Sequence, residues 1–137
     1  VGLTMDESGL PDTAERRLEI ARKIVERAET FGIRRRDVVI DCLSLPVAVY
    51  PDQALETLKA VALVRRELGV RTMLGISNVS FGMPDRERIN AAFLTMALAA
   101  GLDLPILNPE CEQVMAALDC ALLLRGDEEG MLRFLHR

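Results

Sequence analysis

Apolar and β-branched residues recur along the chain in short runs that begin at Gly2 (Gly2-Leu-Thr-Met), Asp37 (Asp37-Val-Val-Ile-Asp-Cys), Arg71 (Arg71-Thr-Met-Leu-Gly-Ile) and Leu104 (Leu104-Pro-Ile-Leu-Asn). Successive starts lie 33–35 residues apart. That is room for one strand, one helix and two short loops. A period near 34 also fits an all-helical array, but such arrays do not place a β-branched run in every unit. The alternation predicts an α/β fold with a parallel sheet.

Between these runs the pattern changes to helical spacing. Asp12 is expected to cap a first helix, with Glu15 completing a capping box and Ala14, Leu18, Ala21, Ile24, Val25 and Ala28 on one face until Gly32. Pro51-Asp52 opens a second, with Leu55, Leu58, Val61 and Ala62 inward and Gly69 as its stop. Asp85 is expected to cap a third, whose stripe of Ile89, Ala92, Phe93, Met96, Ala97 and Ala100 ends at Gly101. The tail is less regular. A short helix over 109–118 is expected, the run from Cys120 to Leu124 suits a strand or a continuing helix, and Asp127 starts a last helix.

Composition narrows the class. The chain has 137 residues, half of them apolar, enough for one domain with a core. With 17 basic against 21 acidic residues the net charge is −4, and no basic run adjoins an aromatic cluster, which argues against a nucleic-acid partner. No apolar run is long enough to span a bilayer, and the N-terminus lacks a signal-peptide pattern, so a cytoplasmic protein without a membrane partner is expected. Cys42, Cys111 and Cys120 share no metal-ligand spacing with His136, so free thiols, buried at Cys42 and Cys120, are expected and no metal site.

In this fold class chemistry gathers where strands end, because the loops after the strands open on one face. The four strand ends offer Asp6 with Glu7, then Asp41, then Ser77 with Asn78, and finally Asn108. A solvated turn accounts for Asp6 and Glu7. Asp41 is different: apolar residues flank it on both sides, and a carboxylate there needs a donor from the protein or a ligand. In Leu74-Gly-Ile-Ser-Asn-Val-Ser-Phe-Gly-Met-Pro84 the polar groups replace the apolar pattern, and Gly75 and Gly82 let backbone approach a flat ligand. A turn satisfied by its own backbone competes with function for Ser77 and Asn78, as it does for Asn108-Pro109.

Ile40-Asp-Cys-Leu-Ser-Leu-Pro46 and Gly75-Ile-Ser-Asn-Val-Ser-Phe-Gly82, with Arg86, Ile89, Asn90 and Phe93 and then Ala99-Ala-Gly-Leu-Asp103, resemble the methyltetrahydrofolate-binding domain of cobalamin-dependent methionine synthase and related corrinoid methyltransferases. Leu3-Thr-Met-Asp-Glu-Ser-Gly-Leu-Pro11 is similar to a segment of the same domain. The resemblance implies that the four βα units are the later half of a (β/α)8 TIM barrel, with residues 1–137 a partial pterin-binding domain of a larger chain. It implies a methyltransferase that binds 5-methyltetrahydrofolate and passes the N5 methyl to cobalamin held by a corrinoid protein or domain. By the same match Asn78 hydrogen-bonds N5, Asp41 accepts from the pterin N–H edge, Gly75 admits the ring, Ser77 fixes the loop or ligand, and Asn108 has a lesser part; Arg86 and Asn90 support the loop. The earlier barrel half, or a second copy forming a homodimer, is the expected cover for the open sheet. Two other readings stand beside this one. One is a non-catalytic half-barrel binding or assembly module; the other is a dihydropteroate-synthase-type pterin enzyme, which would want a basic phosphate-binding group at a strand exit.

Overall fold

The computed structural model describes residues 1–136. Four parallel strands, β1 (Gly2–Leu3), β2 (Val39–Asp41), β3 (Arg71–Gly75) and β4 (Leu104–Ile106), lie side by side in sequence order. Helices α1 (Ala14–Thr30), α2 (Gln53–Leu68) and α3 (Arg86–Ala99) connect them, followed by α4 (Glu112–Leu124) and α5 (Glu128–Leu135). Consecutive order with a helix in every crossover is the arrangement of barrel units, so the expected α/β fold and partial (β/α)8 architecture hold.

Register fixes which residues face which way. Leu3, Asp41, Met73 and Leu104 are paired neighbours in one row across the sheet. Gly2, Ile40 and Thr72 form the adjacent row, and because side chains alternate, the two rows point to opposite faces. The second row is covered by helices: Ile40, Thr72 and Leu74 are fully buried, in one core with Val25, Val61, Val64, Leu94 and Ala97. The first row is on the face that no helix among the described residues covers; Leu3 and Leu104 are exposed there, as is Ile106.

Several local expectations are corrected. The strands are shorter than the apolar runs, and Asp37 belongs to a 3-10 turn (Arg35–Asp37) where it pairs with Arg34. Thr13, not Asp12, caps α1, its hydroxyl accepting from the Arg16 N–H, which moves the third helical position to Arg16 and leaves Glu15 outside any capping box. Asp85 and Asp52 occupy the cap positions of α3 and α2 without a side-chain cap; the Asp85 carboxylate pairs with Arg88 instead. Leu55, Ala62, Ala92 and Met96 are exposed, and α2 buries Thr57, Ala60 and Val64 beside Val61. Thr57 can take a core position because its hydroxyl donates to the Leu43 carbonyl. The ambiguous tail resolves as helix: α4 runs through 120–124, and Cys120 is exposed, not buried. Gly69 stops α2 as expected, taking the left-handed conformation (φ 64°) that a side chain would resist.

Arg17 is the least expected core residue. It is fully buried, its Nη2 donates to Gln53 Oε1 at 2.9 Å, and its Nε and Nη1 have no hydrogen-bond partner among the described residues. Burial holds its pKa below the usual arginine range. A buried cation with unmet donors is costly, and an apolar side chain of similar length avoids that cost. Arg17→Met is therefore expected to melt at or above the wild-type temperature while Arg17→Ala, which leaves a void, melts lower; equal losses for both variants in thermal denaturation would show that the guanidinium is a net stabiliser.

Candidate functional site

Asp41 ends β2 on the uncovered face. Its Oδ1 accepts the Leu43 N–H at 2.9 Å, and no other hydrogen bond to its carboxylate is formed among the described residues. That one bond requires an unusual backbone, since Leu43 has φ 63°. A non-glycine residue in the left-handed region gives up roughly 1–2 kcal/mol, and what the turn gains is a carboxylate fixed in direction with Oδ2 open. The Asp41 carbonyl is also held, accepting from the Thr4 N–H and hydroxyl, both at 3.0 Å. Burial raises the Asp41 pKa above the ordinary carboxylate value, and the Leu43 N–H opposes that rise.

After β3 the chain enters a 3-10 turn, Ile76–Ser80, instead of an open loop. The turn brings the Asn78 carboxamide back over Gly75: a Cβ built on Gly75 would lie 3.2 Å from Asn78 Nδ2. Gly75 has an ordinary extended backbone (φ −76°, ψ 106°), so the glycine is needed for space and not for conformation. Asn78 itself is exposed, leaving its amide accessible at the strand end. Arg86 ties the turn down from α3, with Nε donating to Ser80 Oγ at 3.0 Å and Nη2 to the Ser77 carbonyl at 2.9 Å; Ser80 Oγ also donates to that carbonyl.

The structure divides the predicted residues into two neighbouring groups. Asp41 and Gly75, with the Asn78 amide against it, lie on the uncovered face at the strand ends. Ser77 and Asn108 instead border a cavity of about 430 Å³ between the segments that follow β3 and β4, alongside Arg86 and Asn90. Asn108 also makes the turn its sequence context permits, Oδ1 accepting the Glu110 N–H at 3.0 Å. Asp6 is engaged in a turn as well. Its carboxylate accepts from Ser8 and from Arg16 (2.6 Å), and its pKa is lowered, first by the Ser8 hydroxyl and also by the arginine.

Arg86 supports the loop as the sequence led us to expect, and the Ser80 hydroxyl finds its partners in Arg86 and the Ser77 carbonyl. Sequence reasoning missed Leu43, because a leucine gives no hint of positive φ. Cys42 is buried with its thiol pushed up to about 12, mainly by burial, which makes it packing and not a nucleophile. No three His, Cys, Asp or Glu side chains among the described residues gather to hold a metal ion, and no helix among them is long and apolar enough to cross a membrane.

Residues 4–108 match the family of pterin binding enzymes, and the chain belongs to that family. The resemblance drawn from the strand-end motifs therefore holds. Among relatives, a methionine synthase of Mycobacterium leprae (strain TN) is 35% identical over 136 residues, covering 87% of this chain and 11% of that protein. A methylcorrinoid:tetrahydrofolate methyltransferase of Eubacterium limosum is 27% identical over 130 residues, covering 93% and 48%. A methionine synthase of Mycobacterium tuberculosis (strain ATCC 25618 / H37Rv) is 32% identical, covering all of this chain and 13% of its own length. The chain thus spans half or less of the length of each of these relatives.

The Asp41 environment makes a stability prediction. Because its folded pKa is raised above the unfolded value, the ionised carboxylate weakens the fold; that cost is absent below about pH 3.8 and fully present above the folded pKa. Asp41→Asn keeps an acceptor for Leu43 and removes the charge. Its melting temperature is expected to exceed wild type at pH 7, with the gap closing as the pH falls toward about 4. A gap independent of pH would mean the carboxylate is not the cause.

Proposed function

We propose that this chain binds 5-methyltetrahydrofolate by its pterin ring and that, in the protein to which it belongs, the bound folate gives its N5 methyl group to cobalamin carried by a corrinoid protein or domain. The observation that carries this reading is the packing of the Asn78 carboxamide on Gly75 at the strand end. With no side chain at Gly75, the Asn78 carboxamide can lie against the strand end, where it is exposed to a ligand. Asp41 Oδ2 is an open acceptor on the same face, suited to the N–H groups of a pterin edge.

The chemistry asks little else of the protein. When the methyl leaves, the N5–carbon bond breaks, its electron pair stays on N5, and the nitrogen must take a proton. Reduced cobalamin supplies the nucleophile that accepts the methyl. Asn78 serves N5 in both states, donating from Nδ2 to the neutral nitrogen and accepting at Oδ1 from the protonated one, with the proton arriving through water because a carboxamide is not an acid. Arg86 and Ser80 position this amide by holding the Ser77 carbonyl. The family match supports a pterin ligand, and the names of the relatives favour methyl transfer over a dihydropteroate-synthase-type reaction.

The uncovered face favours a second element of the reading. Leu3, Leu104 and Ile106 are exposed on it, and β1 and β4 have no outer neighbour among the described residues. Such a face is expected to be covered by the remaining units of a barrel or by a second copy. Light scattering of dilute chain tests the second copy: a dimer mass supports it, a stable monomer removes it.

Calorimetric titration of 5-methyltetrahydrofolate tests the pterin site. Asp41→Ala and Asn78→Ala are each expected to weaken binding by about tenfold or more, the scale of a lost hydrogen bond to a buried ligand. Gly75→Ala is expected to match Asn78→Ala in binding while retaining the wild-type melting temperature, because its methyl displaces the amide without straining the backbone. Undiminished affinity in all three variants would refute the assignment.

A further inference from the structure

The turn that aims Asp41 is held from a helix. Cys42 is still tied to the sheet, its N–H donating to the Met73 carbonyl at 3.3 Å, and the Val47 N–H is tied again, to the Val79 carbonyl at 3.0 Å. Across residues 43–45 the hydrogen bonds among the described residues are the two that Leu43 makes. Its N–H donates to Asp41 Oδ1 and its carbonyl accepts from the Thr57 hydroxyl, both at 2.9 Å. Ser44, next in the turn, does not share the task, since its buried Oγ has no hydrogen-bond partner among those residues. Leu43 keeps its left-handed backbone (φ 63°) because it is fixed on both sides, to the carboxylate by its N–H and to α2 by its carbonyl.

Thr57 is well placed to be the fixed point. It is fully buried near the start of α2, and that end of α2 is bound to α1 and the loop before it. Gln53 Nε2 donates to the Asp12 carbonyl and Gln53 Oε1 accepts from Arg17, both at 2.9 Å, while Glu56 Oε2 accepts the Ala14 N–H at 2.8 Å. A hydroxyl on a packed helix is set in place more firmly than the loop it holds. Packing alone does not ask for threonine here, because valine has the same branched shape and lacks only the hydroxyl. Resting on the reading that Asp41 accepts from the pterin edge, we infer that Thr57 is a positioning residue for pterin recognition: by holding the Leu43 carbonyl it keeps the Leu43 N–H on Asp41 Oδ1 and leaves Oδ2 facing the ligand. Buried as it is, Thr57 acts through Leu43 and touches no ligand itself.

Two pairs isolate the hydroxyl, Thr57→Val against wild type and Thr57→Ala against Thr57→Ser, so the comparison survives if the valine variant fails to fold. The readout that a merely structural threonine would not move is the titration of the Asp41 carboxyl, followed by its side-chain carbon NMR signal and assigned with Asp41→Asn. Burial raises that midpoint and the Leu43 N–H opposes the rise, so the valine and alanine variants are expected to titrate at higher pH, with serine at the wild-type position. The neighbouring Cys42 thiol, pushed up to about 12 mainly by burial, adds no charge in that range. Calorimetric titration of 5-methyltetrahydrofolate at pH 7 is expected to show about three- to tenfold weaker binding to the valine and alanine variants and wild-type affinity for serine. An unmoved midpoint in the variants without the hydroxyl, or a serine variant that matches alanine, overturns the inference even if the melting temperature falls. So does a raised midpoint with affinity unchanged from a wild type that binds. If the midpoint rises but wild type binds no folate, Thr57 does fix the carboxylate and the pterin reading is what fails.

Discussion

The placement of every polar group at the strand ends depends on the register of a sheet covered by helices on one side. Ile40, Thr72 and Leu74 point under the helices, and the next row, with Asp41 and Met73, points away. Full burial of a side chain such as Ile40 or Leu74 is worth about 1.5–3 kcal/mol, and a slip of one residue in β2 would exchange Ile40 for Asp41. The slipped chain would lose that burial and also bring a carboxylate into an apolar layer. The core therefore selects the face on which Asp41 and Gly75 stand, before either makes a polar contact.

Finer positioning comes from hydrogen bonds that run from side chains, buried at Thr4 and Thr57 and exposed at Arg86, to backbone carbonyls. Thr4 reaches the Asp41 carbonyl, Thr57 the Leu43 carbonyl, and Arg86 the Ser77 carbonyl, each from an element other than the one it fixes. Each bond satisfies a backbone oxygen at a place where the ladder has ended, and each ties a loop to a helix or neighbouring strand. The left-handed Leu43 belongs to the same set: its strained backbone is held because its N–H completes the turn at Asp41 and its carbonyl is taken by Thr57. Loops made rigid in this way lose less entropy when a ligand binds.

The unit repeat, the helix stops and the strand-end residues were legible because they rest on periodicity and on residues with strong local preferences. Gly69 and the apolar runs in β2 and β3 speak for themselves. What was illegible depends on contacts distant in sequence. Arg17 and Thr57 read as surface residues until Gln53 and Leu43 are brought to them, and Leu55 and Met96 read as core because a stripe does not say how far a neighbouring helix extends over it. The same limit governs the site. Asp41 stood out by its apolar flanks, whereas the fold of Asn78 over Gly75 and the unpaired oxygen of Asn90 exist only once the 3-10 turn and the cavity are formed.

Charge bears on how such a site would work. The chain carries a net charge of −4, and a folate is itself anionic at its glutamate end, so the long-range field does not draw the ligand in. Recognition must then come from short-range groups such as the Asp41 carboxylate oxygen on the strand-end face, an acceptor suited to an uncharged, donor-rich edge; Arg86, the one cation lining the inter-loop cavity among the described residues, is engaged with the Ser80 hydroxyl and the Ser77 carbonyl. A site with Arg86 beside Asp41 would pair the two internally, lowering the Asp41 pKa that burial now raises and removing the acceptor from use.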